Sequence, residues 1–234
     1  MAKSNKKEKS SQELLENPEE LASRINNAEQ FLEKNRNLVL TIGAVIAVAV
    51  AGLFFYRNYT DEQNQEAQEE MYQAIYYFES DSLDLALYGD GNSLGFLDVI
   101  DMYGLTKSAE LSHFYAGAAF LKKGEYDQAI EHLEQFSTKE FLVQSRAYAL
   151  LGDAHMELEQ YQEAASYYEK AANHKPTKEF TPGYLMKAGL AFELSGDLEN
   201  AISAYQVVVD QYPKVSEFSK ARKELARLEA MAMR

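Results

Sequence analysis

Between residues 38 and 56 the chain reads LVLTIGAVIAVAVAGLFFY, 19 positions without a charge. A helix drawn on this stretch is apolar on every face. Its length, roughly 28 Å, matches the hydrocarbon core of a bilayer. A core helix of a soluble protein keeps a polar face, so the pattern predicts a transmembrane helix over 38–56. A cleaved signal peptide is the rival reading, since Ala49-Val50-Ala51 offers a small-x-small site. Against it, 37 residues precede the run and seven of them are acidic, whereas a signal peptide has a short basic leader. Phe54, Phe55, Tyr56 and Tyr59 at the exit suit an interfacial aromatic belt. An uncleaved anchor is expected.

The flanks predict how the segment is oriented. Seven basic residues precede it: Lys3, Lys6, Lys7, Lys9, Arg24, Lys34 and Arg36. Beyond it Arg57 stands alone until Lys107. The basic side faces the cytoplasm, so residues 57–234 are expected outside, in the periplasm of a cell with two membranes. Within the segment Gly43, Ala47 and Ala51 recur every four residues. Such a small seam lets a partner helix approach closely. Residues 1–37 form a cytoplasmic tail, polar and expected to be disordered over 1–16. Asn17-Pro18-Glu19-Glu20 reads as a helix start, followed by a stripe of Leu21, Ile25, Ala28 and Leu32.

Beyond the membrane, Asp61–Glu79 is rich in helix formers without Gly or Pro. Gly89-Asp90-Gly91-Asn92 is a turn cluster. Phe96, Leu97, Ile100 and Tyr103 predict a short helix ending at Gly104. Residues 57–108 are therefore read as a helical stem and a divergent first repeat of two helices.

From about residue 109 the chain repeats itself. Ala129, Ala164 and Ala201 lie 35 and 37 residues apart. Twelve before each stands Gly117, Gly152 or Gly189; nine before, Phe120, His155 or Phe192; three before, Tyr126, Tyr161 or Leu198. Four after stands Leu133, Tyr168 or Tyr205; twelve after, Phe141, Pro176 or Pro213. This resembles the tetratricopeptide repeat, a helix-turn-helix unit of about 34 residues. A Gly on the first helix and an Ala on the second let the backbones pack closely, and Pro stops the second helix. The departures are His155 for an aromatic, Glu159 for a turn glycine and Phe141 for a terminal proline, and the longer third period places Lys178–Gly183 in a loop. Ser216–Met231 reads as a polar-backed capping helix. The expected fold is all-α: one transmembrane helix, then a tetratricopeptide-repeat solenoid over 109–234, seven helices in three pairs and a cap.

Charge and composition narrow the chemistry. A net charge of -14 disfavours nucleic acid and anionic lipid surfaces. There is no cysteine, hence no disulfide, thiolate metal site or cysteine nucleophile. None of His113, His132, His155 and His174 forms an H-E-x-x-H pair, and His113 and His155 fall at helix-interior positions suited to packed, hydrogen-bonded histidines. Asp81, Asp84, Asp90 and Asp98 lack the spacing of a calcium loop. Gly91-Asn92-Ser93-Leu94-Gly95 matches G-x-S-x-G, but a nucleophile elbow needs a preceding strand and the chain has no strand pattern. Neither an enzyme nor a cofactor is expected.

In stacked repeats the first helix of each unit lines a concave groove. Here Phe114 and Ala118, Ala149 and Asp153, Met186 and Leu190 hold the groove positions, with Leu111, Leu121, Met156 and Leu194 beside them. Some tetratricopeptide domains clamp a partner's carboxylate with Lys and Asn at such places; these positions carry neither. The expected groove is therefore apolar with an acidic rim, suited to hydrophobic, partly basic peptides, although several of the same side chains also fit an intra-repeat core.

A cytoplasmic tail, one anchor and an external repeat domain, together with Asn92–Gly117 (NSLGFLDVIDMYGLTKSAELSHFYAG), resemble the YfgM family. That resemblance implies an inner-membrane ancillary subunit of the Sec translocon, whose partners are translocon subunits, a periplasmic chaperone or emerging chains. Repeat motifs specify a fold rather than a partner, so a structural scaffold of another envelope complex, a secretion or motility apparatus, stays open beside it.

Overall fold

The computed structural model describes residues 18–232; the expected disordered tail and Asn17 lie outside them. The described residues form eleven helices and no strand. The chain divides into two units, Met1–Tyr59 and Thr60–Arg234.

In the first unit, α1 (Pro18–Lys34) leads into α2 (Arg36–Glu79) through Asn35. The helical ladder carries through that residue: Asn35 N–H donates to Phe31 C=O at 3.0 Å and Val39 N–H to Asn35 C=O at 2.9 Å. α2 has 44 residues. The apolar segment and the helix expected from Asp61 are thus one element, because no Pro interrupts the stretch and its last glycine, Gly52, lies inside the apolar run. Helix α2 is long and apolar enough to cross a membrane, and the apolar side chains from Leu38 to Tyr56 are exposed.

The second unit opens where α2 joins a core. Ala67, Met71 and Ala74 pack with Leu87 of α3 (Leu83–Tyr88), Phe96 and Val99 of α4 (Phe96–Met102), and Ala116 and Phe120 of α5 (Lys107–Lys123). The rings of Phe96 and Tyr115 stack at 5.3 Å, with Phe78 edge-on to Tyr115 at 5.5 Å. Ser108 N–H donates to Asn64 Oδ1 at 3.0 Å. Three elements precede α5 here rather than the two helices of a divergent repeat. The additional one, α3, is an amphipathic turn that buries Ala86 and Leu87. The G-x-S-x-G stretch is a loop: Asp90 Oδ1 accepts from the N–H groups of Asn92 and Ser93 and takes up the turn.

Three helix pairs follow. They are α5 with α6 (Tyr126–Gln135), α7 (Phe141–Glu157) with α8 (Tyr161–Asn173), and α9 (Thr181–Ser195) with α10 (Leu198–Gln211); α11 (Phe218–Ala232) closes the row. Thr106 caps α5 by accepting from Ala109 N–H at 3.1 Å, and Asp197 caps α10 through Asn200 N–H. Within each pair the helices meet at a glycine. A Cβ built on Gly117 would lie 2.5 Å from Leu133 Cγ, one on Gly152 2.6 Å from the Tyr168 ring, and one on Gly189 2.6 Å from the Tyr205 ring. Ala129, Ala164 and Ala201 on the second helices are fully buried. The cap buries Leu225 and Leu228 against this core, and Arg227 bonds Glu193 of α9 and Glu224.

Two repeat details differ from the sequence pattern. α6 stops at Gln135, six residues short of Phe141, because Phe136 turns inward and is buried; Phe141 instead begins α7. The expected loop at Lys178–Gly183 ends earlier, at Phe180. Thr181 and Pro182 already belong to the first turn of α9, where proline lacks no needed donor.

Two substitutions should move stability in opposite directions. Gly152→Ala forces the buried Tyr168 ring away from α7 and should cost ~1–3 kcal/mol. Glu159 holds φ 59° where Gly124 and Gly196 hold 80° and 84°, so Glu159→Gly should stabilise by about 1 kcal/mol. Urea unfolding of the protein in mild detergent, followed by circular dichroism, measures both.

Candidate binding clefts

Among the clefts along the first helices of the pairs, two divide most of the residues expected in the groove. The larger has a volume of about 590 Å³. Its walls are Leu111, Phe114 and Tyr115 of α5, Phe141, Leu142 and Val143 of α7, and Phe180 and Tyr184 at the start of α9. Its polar side is cationic. Arg146 and Lys175 line it, beside His174, and no carboxylate does. Arg146 makes no ion pair with the described residues. Lys175 holds φ 52°, a left-handed conformation that costs a non-glycine residue about 1–3 kcal/mol, and its ammonium lies 5.6 Å from the Phe141 ring centroid. Ser145 Oγ donates to the carbonyl of His174 at 3.1 Å and ties that link to α7. Burial raises the Tyr184 phenol pKa, opposed by the nearby Arg146 charge, so Tyr184 is a neutral hydrogen-bonding group in the wall.

The second cleft, about 430 Å³, is lined by Leu121, Tyr126, Met156, Glu157 and Leu190 around a closed polar network. Asp153 Oδ1 accepts from Tyr168 Oη and Lys187 Nζ, both at 2.6 Å. Burial and then the Asp153 charge raise the Tyr168 pKa, which keeps its proton on the phenol. Lys187 is neutralised by Asp153, and Glu157, which accepts from Tyr126 Oη at 3.2 Å, is left as the cleft's uncompensated charge.

Known proteins place this architecture. Two tetratricopeptide-repeat family models match, one over residues 116–184 and one over 184–214. The array is a run of tetratricopeptide repeats. A tetratricopeptide repeat-containing protein of Methanocaldococcus jannaschii is 29% identical over 100 residues, 43% of this chain; the match spans only 17% of that relative's length. Two crystal structures of nearly identical tetratricopeptide-like repeats, from a protein of Podosopora anserina named for kinesin light chain, superpose with TM-scores of 0.55 and 0.56. They cover 73% of this chain and 89% of theirs at 19% and 18% identity, and so speak for the fold alone.

The tetratricopeptide array divides the residues that the sequence assigned to one groove. Leu111 and Phe114 lie half-buried in the larger cleft; Leu121, Met156 and Leu190 lie in the smaller. Met186 packs half-buried among α8, α9 and α10. Leu194 is 48% exposed and lines neither cleft. Ala118 and Ala149 are core. Gly43, Ala47 and Ala51 sit on exposed α2, with no atom within 4 Å of a Cβ built on Gly43. The acidic rim expected from net charge is absent from the larger cleft, because chain-average charge says nothing about which side chains a fold gathers. Phe141, Arg146, Lys175 and Phe180 escaped the sequence reading. Their one signal was Phe141 in place of a terminal proline, where the repeat pattern broke.

Three of the four histidines are packing elements. His113 and His132 pair across α5 and α6, Nδ1 to Nδ1 at 3.1 Å, and His132 stacks on Phe120. His155 stacks on Tyr167, and its Nδ1 lies 2.6 Å from Gln160 Oε1. No group of metal-ligand type forms among the described residues. Burial lowers the pKa of both His113 and His132, and the His132 charge adds to the effect on His113. The folded state therefore binds these protons less readily than the unfolded chain, whose histidines titrate near 6.5. Stability should fall as pH drops through about 6.5, and His132→Phe should flatten that dependence in urea titrations between neutral and mildly acidic pH.

Proposed function

We propose that this protein is a membrane-anchored protein-interaction module whose larger cleft captures a hydrophobic segment bearing a carboxylate. The observation that carries this reading is the pairing of an aromatic-lined cleft of about 590 Å³ with an unpaired arginine and a lysine in a chain of net charge -14. Apolar walls supply affinity through burial. A guanidinium facing no carboxylate of its own selects an anionic group on the ligand. Placing p-benzoylphenylalanine at Leu142 or Phe180 should crosslink a protein partner in cells, and Arg146→Glu should reduce that adduct several-fold. Adducts unchanged by Arg146→Glu would remove the anionic-group selectivity.

The setting we propose is the inner membrane, with α2 as the anchor and residues 57–234 in the periplasm. The seven-to-one basic asymmetry about the apolar segment supports it. On this reading the module is an ancillary subunit of the protein-translocation machinery, tethering a chaperone or meeting emerging chains, as the likeness in segment order to the YfgM family implies. Anchoring raises the effective concentration of a membrane neighbour, so a weak cleft suffices. Protease added to intact spheroplasts should digest residues 57–234 and spare an N-terminal tag; loss of the tag instead would reverse the orientation.

A further inference from the structure

The first unit carries an apolar stripe that its own residues leave uncovered. Ile25, Leu32 and Val39 recur every seven residues, with Ala28, Asn35 and Ile42 three after each. Ile25 is 59% exposed, Leu32 52% and Ile42 51%. The same count continues through Ile46, Ala49, Leu53 and Tyr56. Inside the membrane segment a heptad means little, since every position there is apolar. In α1 it is informative: Ser23, Asn26, Asn27, Gln30, Glu33 and Lys34 fill the remaining outward positions, and all are polar. The unbroken ladder through Asn35 keeps the stripe in phase from α1 into α2.

We infer that this stripe is the seam of a parallel, in-register coiled coil with a second copy of the same chain. The parallel sense rests on the anchor reading above, because two copies inserted with one topology present their N-terminal helices side by side in one direction. The flanking positions agree with self-pairing. In a parallel coil the residue before the first core position of each heptad faces the residue five further along on the partner. Arg24 then meets Glu29 of the second copy, and Phe31 meets Arg36, so no like charges oppose each other. Asn35 is a polar residue at a core position, a feature that sets register and strand number. Its amide nitrogen already donates to Phe31 C=O at 2.8 Å, which leaves one N–H and its Oδ1 for the same residue across the seam. The strict seven-residue count predicts left-handed winding, compatible with the crossing common between membrane helices. Gly43, Ala47 and Ala51 lie on a different face, free for another partner. Self-association would set two repeat domains on one assembly and double the binding sites presented.

The chain has no cysteine, so single introduced cysteines report the seam directly. Ala28→Cys and Leu32→Cys sit in it; Gln30→Cys and Lys34→Cys point away. In isolated membranes holding the full chain, copper-phenanthroline should give a disulfide-linked species of twice the chain mass for the first two, several-fold above the other two. Adding Leu32→Glu to Ala28→Cys should reduce the yield to that of Gln30→Cys. Equal yields at all four positions, no dimer, or adducts with a different polypeptide would each overturn the second-copy seam. Alkaline carbonate extraction of the same membranes reports anchoring separately, so a failed anchor and a failed seam are told apart.

Discussion

Close approach of two helices at a glycine is the contact on which the repeat region depends. Gly117, Gly152 and Gly189 each admit a side chain from the paired helix, Leu133, Tyr168 or Tyr205, to a distance no Cβ would allow. That approach brings Ala129, Ala164 and Ala201 into full burial and fixes each pair's angle. Because every pair repeats the geometry, successive pairs stack and their first helices fall into one row. Both clefts exist only because α5, α7 and α9 stand side by side in that row. Tyr168 links the two levels: its ring fills the space at Gly152 and its hydroxyl holds Asp153, which neutralises Lys187.

The clefts differ in how their charges are settled. In the smaller one, Asp153 and Lys187 neutralise each other and the carboxylate of Glu157 remains. In the larger, Arg146 faces aromatic walls without a carboxylate, and Lys175 is held there at a left-handed backbone angle. Uncompensated positive charge at an apolar opening in an acidic protein draws anionic groups to that place while the rest of the surface repels them. Selectivity of this kind belongs to the cleft and not to the repeat fold, since relatives of low identity share the fold alone.

Much of the architecture was legible in one sequence because it rests on local periodicity. Spacing located the glycines, the anchoring alanines, the turns and the cap. A run of 19 uncharged residues located the apolar segment. Where local patterns were weak the reading slipped: α3 is too short to announce itself, α6 ends early because Phe136 found a buried position, and Pro182 starts a helix where a loop was expected. The groove slipped for a different reason. Leu111 and Leu121 lie on one helix but open onto different clefts, and Met186 is drawn into packing between repeats.

By itself, then, the sequence determined the all-helical class, the repeat register and the apolar segment, since each follows from residue spacing along a single helix. Tertiary structure alone decided which side chains share a cleft and what charge that cleft carries. Arg146 lies on α7, whereas Lys175 and Phe180 lie on the segment joining α8 to α9, and only the stacking of α7, α8 and α9 brings them to one opening. Spacing reports neighbours along a helix, whereas a binding surface is made by neighbours between helices.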